Sequence, residues 1–215
     1  MEHLNIKLGK LNLVNIINIL KKKYENIMLS PKKINDEYYQ NALSEFAYKK
    51  ISKGPSVNIK PFDFQLDGFK KGRELKALPK NIDYTHVYYF DNNNNLLLIE
   101  IYGQSENIVN KEYYFYDENH IESIYFASGT NDVRNISFLI NEKKQAKYWI
   151  NYSKYGYGVW EYIYNDDKLT EINVKIRQHE TNECTCFTNF FEYNKGELVK
   201  ITSKYPNGYE EQLYP

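Results

Sequence analysis

Three side chains near the C-terminus carry metal-ligating or nucleophilic chemistry at short spacing: His179, Cys184 and Cys186, an H-x4-C-x-C arrangement. A structural zinc site takes four ligands, commonly with C-x2-C spacing, and no second Cys/His pair stands nearby. On an extended strand Cys184 and Cys186 would point to one face as two small side chains, with His179 in the loop before them, so no metal is expected. Asp91 with Asn92, Asn93, Asn94 and Asn95, and Asn165-Asp166-Asp167, offer oxygen ligands. They lack the alternating positions, central glycine and distal glutamate of a calcium loop. Both stretches read as turns, where Asp and Asn bond to their own backbone. No glycine-rich phosphate loop, G-x-S-x-G elbow or H-E-x-x-H is present. The four histidines (His3, His86, His120, His179) share no pattern. The residues predict no catalytic centre and no cofactor.

Aromatic rings are the chemistry that remains. The chain holds 22 Tyr, 11 Phe and 2 Trp. They are densest over Tyr148, Trp149, Tyr152, Tyr155, Tyr157, Trp160, Tyr162 and Tyr164. Strand alternation puts Trp160, Tyr162 and Tyr164 on one face, read as core, because aromatics dominate core burial. Tyr155 and Tyr157 fall in a glycine-containing loop between Ser153 and Gly158, and read as contact residues, since Tyr and Trp anchor interfaces. In the alternating run Ile172-Asn173-Val174-Lys175-Ile176-Arg177, Glu171 shares the polar face and is expected to face solvent. The predicted partner-binding residues are therefore Tyr155, Tyr157 and Glu171, with the basic helices as the competing location.

Composition sets the frame for these residues. The 28 basic and 28 acidic residues among 215 leave no net charge, so no whole-chain field draws the protein to nucleic acid or membrane. Mean hydropathy is −0.69, yet an aromatic content of 16% is far above that of a disordered chain. No run of about 18 apolar residues is present. The 25 Lys against 3 Arg, with 26 Asn and 21 Ile, point to AT-rich codons and a low-GC bacterial genome. Two cysteines make no disulfide framework, which fits a reducing cytosol. At the N-terminus the apolar stretch Leu11 to Leu20 is followed by Lys21, Lys22 and Lys23 rather than by small cleavage-site residues, so a cytoplasmic location is expected. Charge is uneven: residues 1–80 hold 16 basic and 8 acidic residues, and residues 81–215 hold 12 and 20. Such asymmetry between halves suggests an interaction surface.

Elements follow from periodicity. Leu13, Ile17, Leu20, Tyr24 and Ile27 recur at helical spacing and predict a helix over 11–28. Ser30-Pro31 then opens a second helix. Its stripe of Tyr39, Ala42, Leu43, Phe46, Ala47 and Ile51 extends the prediction over 34–51. Residues 1–53 thus read as a helical hairpin. Residues 54–84, broken by Pro55, Pro61, Pro79, Gly68 and Gly72, read as an irregular connector with one short strand. From residue 85 to 215 the period is two, that of strands.

A motif recurs in that last part: aromatic or apolar residues, then Asp or Asn, a few polar residues, and an aliphatic opening the next run. The copies centre on Asp91, Asp117, Asn141, Asn165 and Asn194. Each has the chemistry of a β-hairpin, and a regular period marks a repeat architecture. The predicted fold is α+β: a helical hairpin against a large twisted antiparallel meander of about five hairpins and ten strands, which must curl or split. Tyr88-Tyr89-Phe90-Asp91, Tyr114-Phe115-Tyr116-Asp117 and Gly158-Val159-Trp160-Glu161-Tyr162-Ile163-Tyr164-Asn165 resemble the tyrosine–aspartate (YD, Rhs-type) repeats. They are also similar to MORN-variant repeats of bacterial antitoxin-like proteins. The resemblance spans roughly residues 85–204 and departs from the pattern in the turns, where only Gly196 keeps the usual glycine. Such repeats occur in toxin shells, cell-surface proteins and toxin-neutralising partners, so the resemblance implies a β-hairpin array rather than one function. Taken with the lack of catalytic motifs, the cytoplasmic reading, the low-GC composition and the acidic half, the first functional expectation is a non-catalytic cytoplasmic protein-binding module, most concretely an immunity protein whose partner is a cognate toxin. The acidic half would suit a basic partner such as a nuclease. The second reading is a carbohydrate or cell-wall binding module using Tyr/Trp-rich hairpins.

Overall fold

The computed structural model describes residues 12–105, 107–130 and 132–215. The targeting argument from Met1 to Lys10 lies outside the described residues. The elements are α1 (Leu13–Met28), α2 (Pro31–Glu45), β1 (Tyr48–Lys53), α3 (Asp63–Leu66), β2 (Arg73–Leu75), β3 (Thr85–Phe90), β4 (Leu96–Tyr102), β5 (Val109–Tyr116), β6 (His120–Phe126), β7 (Val133–Glu142), β8 (Gln145–Ser153), β9 (Gly156–Asn165), β10 (Lys168–Gln178), β11 (Cys184–Asn194), β12 (Glu197–Lys204) and β13 (Glu210–Tyr214). The strands form one antiparallel sheet of 13, in the order β13 back to β3 as a meander, then β1 and β2. The α+β meander expected from the pattern is thus present, with β1 and β13 beyond the ten predicted strands and β2 as a short strand within the connector, where one is expected. No described helix is long and apolar enough to cross a membrane.

The first helix forms as its stripe requires. Asn12 caps it, its side-chain oxygen accepting from the Val14 amide at 3.1 Å, and Ile16, Leu20, Tyr24 and Ile27 are buried. The second helix stops at Glu45 instead of running to residue 51. Phe46 is extended, and Ala47 donates to the Phe90 carbonyl at 2.7 Å. Residues 48–53 become β1, with Ile51 opposite Val87. The apolar spacing of Phe46, Ala47 and Ile51 fits a helix, but β3 needs a partner strand, and the ladder prevails over local periodicity.

All five predicted hairpins are present, at β3–β4, β5–β6, β7–β8, β9–β10 and β11–β12. Their turns use the expected chemistry only in part. Asp91 Oδ1 accepts from the Asn93 and Asn95 amides at 2.8 Å each. Elsewhere the left-handed residues follow the Asp/Asn rather than coincide with it: Lys143 (φ 50°), Lys144 (φ 68°), Asp166 (φ 51°), and Lys195 with Gly196. Four of the five hairpins also shift register beside the turn, at Tyr89/Phe90, Ile140/Asn141, Leu169/Glu171 and Glu192/Tyr193. A bulge bends its strand and increases local twist. Repeated at the same place in successive hairpins, it curls the sheet.

The connector shows how strongly. A flat sheet would hold β3 and β13 roughly 48 Å apart, at about 4.8 Å per strand. Yet Ser56 donates to the Tyr88 hydroxyl on β3 at 2.9 Å, while a methyl group on Gly68 would lie 3.3 Å from the Leu213 carbonyl on β13. From Gly68 the chain returns to Gly72, which donates to Pro55 at 2.6 Å beside the start of β3, and this segment reaches at most about 14 Å. The sheet therefore wraps around the connector. Ile59, Phe62 and Leu66 pack inside the curl against a core that includes Tyr162, Leu169, Ile172 and Phe191. The helices lie on the other, outer face: α1 on β7 and β8, and α2 on β4. There Leu20, Tyr24 and Tyr38 meet Leu98, Tyr113, Ile124, Ile136 and Ile150.

Candidate functional site

Two of the three predicted contact residues stand at the end of the β8–β9 hairpin: Tyr155 in the turn, and Tyr157, expected in the loop, in β9, where it is paired with Tyr152 and Arg177. Tyr155 is 72% exposed. Its amide is held by Ser153 Oγ at 3.2 Å and its carbonyl accepts from the His179 amide at 2.9 Å, so a well-fixed turn presents the ring. Tyr157 is half-buried against the helix-side core and faces Tyr152 on one side and Arg177 on the other. The His179 ring lies 5.1 Å from Tyr152 and 6.2 Å from Tyr157, tying the β10–β11 loop to this turn. Glu171 is not brought to the tyrosines. It pairs with Ile163 and Phe190, whereas Tyr157 pairs with Arg177. Glu171 and Arg177 are roughly 20 Å apart along β10, at about 3.3 Å per residue.

Cys184 and Cys186 share the outer face as predicted, their sulfurs 3.7 Å apart and both exposed, opposite Arg177 and Lys175. The hydrogen bond to Cys184 pushes the Cys186 thiol up, against a smaller lowering by Lys175. Among the described residues no cluster of three or more His, Cys, Asp or Glu side chains could hold a metal ion. Asp91 is committed to its turn: desolvation raises its carboxyl, but the hydrogen bonds from Asn95 and Asn93 outweigh it and hold the group below the usual carboxylate range. Trp149 and Trp160 lie inside the curl with ring centroids 4.1 Å apart, and the Trp160 ring fills the space a side chain at Gly158 would need.

Among the described residues, one ion pair joins the basic N-terminal part to the acidic part. Lys23 of α1 bonds the Glu122 carboxylate on β6 at 2.6 Å. Glu100 on β4 accepts from Tyr89 Oη at 2.7 Å, and Lys111 lies 3.6 Å from the Tyr39 ring centre. Burial lowers the Lys111 pKa, with Glu100 and Asp36 opposing. Glu122 is thus neutralised from α1, and Glu100 is held by a tyrosine hydroxyl, so these two carboxylates do not add to an exposed acidic field.

A second site is formed between the connector and the sheet. It is a chamber of about 390 Å³ lined from the connector by Lys60, Asp63 and Asp67, and from the strands by His86, Glu112 and Ser123, among others. Lys60 Nζ is 2.7 Å from Asp63 Oδ1 and 4.0 Å from the Trp149 ring centre. Burial raises the Glu112 carboxyl; Lys60 and hydrogen bonds from Tyr114 and Ser123 oppose that rise. Burial also raises the Asp67 carboxyl, helped by Asp63 and opposed by Lys60. Ser123 and Ser137 hydroxyls are bonded at 2.7 Å. His86 stacks on Tyr88, is 7% exposed, and its Nδ1 has no hydrogen-bond partner. Burial pushes its pKa down to about 4, so the ring is neutral, despite the opposing Tyr84 backbone.

Sequence reasoning missed this chamber. In β7, Asn135 and Ser137 alternate with Ile136 and Phe138, and period-two patterning assigns such polar residues to water. They face the connector instead. The one available signal was the run of apolar residues in the connector, Phe62, Phe64, Leu66 and Phe69, which had to bury against something. No known protein family, curated protein or solved structure matches this chain.

Proposed function

We propose that the protein is a non-catalytic binding module that engages a partner protein through the outer face of its C-terminal strands, and that the partner is a toxin it neutralises. The observation that carries this reading is the uncovered face. The helices occupy β4, β7 and β8, while Lys175, Arg177, Cys184 and Cys186 on β10 and β11 stay exposed beside the Tyr155 turn. A tyrosine fixed on a tight turn offers a large contact area at small entropic cost. The toxin assignment itself rests on the repeat resemblance and the composition. The face is mixed in sign: Glu171 and Glu192 stand with Lys175, Arg177 and Lys200. A partner patch of both signs fits it better than a uniformly basic one. For the carbohydrate reading, both indole rings are turned into the curl, which leaves exposed tyrosines such as Tyr155 and Tyr209 as the stacking surface it would use.

The test is a kinetic binding assay with the product of the adjacent gene, joined to co-expression in a host that the product arrests. Binding and restored growth are expected. Tyr155→Ala should weaken the complex by about 2 kcal/mol, chiefly through faster dissociation. Arg177→Glu should change the association rate and its salt dependence. A product that neither binds nor arrests growth, or a complex indifferent to both substitutions, would overturn the proposal.

A further inference from the structure

We propose that the chamber between the connector and the sheet is a binding site for a small aliphatic ammonium compound such as a diamine or polyamine. Three carboxyl-bearing residues line it, Asp63, Asp67 and Glu112, against the single ammonium of Lys60. Lys60 already shows how the chamber holds such a group: one carboxylate at 2.7 Å and an indole face at 4.0 Å. Carboxylates together with aromatic faces are the usual recognition chemistry for ammonium ligands. With Lys60 bound to Asp63, Glu112 and Asp67 have no cation of their own at hydrogen-bond distance, and for Glu112, inside the chamber, burial makes the charged form costly. An entering ammonium would relieve that cost; an anion would add to it.

An independent feature points to a ligand. His86 is 93% buried (7% exposed), lines the same chamber, and leaves Nδ1 unpartnered. A buried polar atom without a partner costs about 1–3 kcal/mol, and a ligand N–H would satisfy it. The neutral ring can accept that hydrogen bond. A volume of about 390 Å³ admits a short aliphatic chain.

The experiment is titration calorimetry with putrescine and spermidine, with glucose and inorganic phosphate as neutral and anionic controls. Saturable amine binding is expected at concentrations below about 1 mM. It should quench or shift the fluorescence of Trp149. Glu112→Gln should weaken binding at least about tenfold, matching the loss of one charge-assisted contact. Asp67→Asn, at an exposed rim position that puts little folding at risk, should weaken it as well. Tyr155→Ala on the outer face should leave it unchanged, which separates this site from the partner surface. Absence of saturation, equal binding of phosphate or glucose, or unchanged affinity in both Glu112→Gln and Asp67→Asn would overturn the proposal.

Discussion

At the residue scale, His86 and Glu112 make acid stability a readable property. The folded-state pKa of His86, about 4, lies below the ordinary value of 6.5. Between those values the unfolded chain binds the proton and the folded chain does not, so stability falls as pH drops from about 6.5 towards 4. For a shift of that size the loss approaches about 3 kcal/mol. Glu112 acts with the opposite sign. Its folded pKa is raised, so protonation on acidification relieves a cost present in the native state. Chemical denaturation of the wild type and of His86→Asn at pH 7 and pH 5 separates the two: the variant should lose much less stability than the wild type on acidification. An equal loss in both would mean that His86 is not the group held neutral.

At the element scale, the hairpins show what local chemistry can and cannot specify. The β7–β8 turn places Lys143 and Lys144 at φ 50° and 68°, where Asn-Gly is the favoured pair. Lys143→Asn with Lys144→Gly should raise stability by about 1 kcal/mol, since the left-handed region strains a side chain that Gly lacks. Thermal unfolding should move up by about 2–4 °C; a fall would mean the turn is held by contacts of the lysines themselves. The position of each hairpin was legible because Asp/Asn followed by polar residues interrupts an aromatic run. The end of α2 was not, because Phe46, Ala47 and Ile51 satisfy helical spacing while the decisive partner, β3, lies a connector away in sequence. The bulges were equally hidden: a one-residue shift such as that at Leu169/Glu171 leaves the composition of the strand untouched. Of the three predicted contact residues, the alternation that placed Glu171 on the polar face says nothing about which end of the strand the tyrosine turn occupies.

At the scale of the whole molecule, the connector is the element on which the curl depends. A large sheet left open would expose one face along its whole length, and α1 and α2 serve only the outer one. The inner face is filled by Ile59, Phe62, Phe64 and Leu66, supplied from the connector between β1 and β2. That placement requires the connector to enter and leave at one point, where Gly54 and Gly72 touch. A methyl group on Gly72 would lie 2.3 Å from the Gly54 carbonyl oxygen, a backbone atom that cannot rotate away. Gly72→Ala should therefore destabilise the protein by about 1–3 kcal/mol, the range for an overpacked site. Gly129→Ala, which meets nothing within 4 Å, should be neutral. Because the connector joins strands from β3 to β13 into one core, unfolding followed by far-ultraviolet circular dichroism and by tryptophan fluorescence should give coincident curves in the wild type and shift together in Gly72→Ala. Fluorescence falling first, with the strand signal unchanged, would show that the sheet keeps its shape without the connector, and that the chamber is formed by a segment able to leave it.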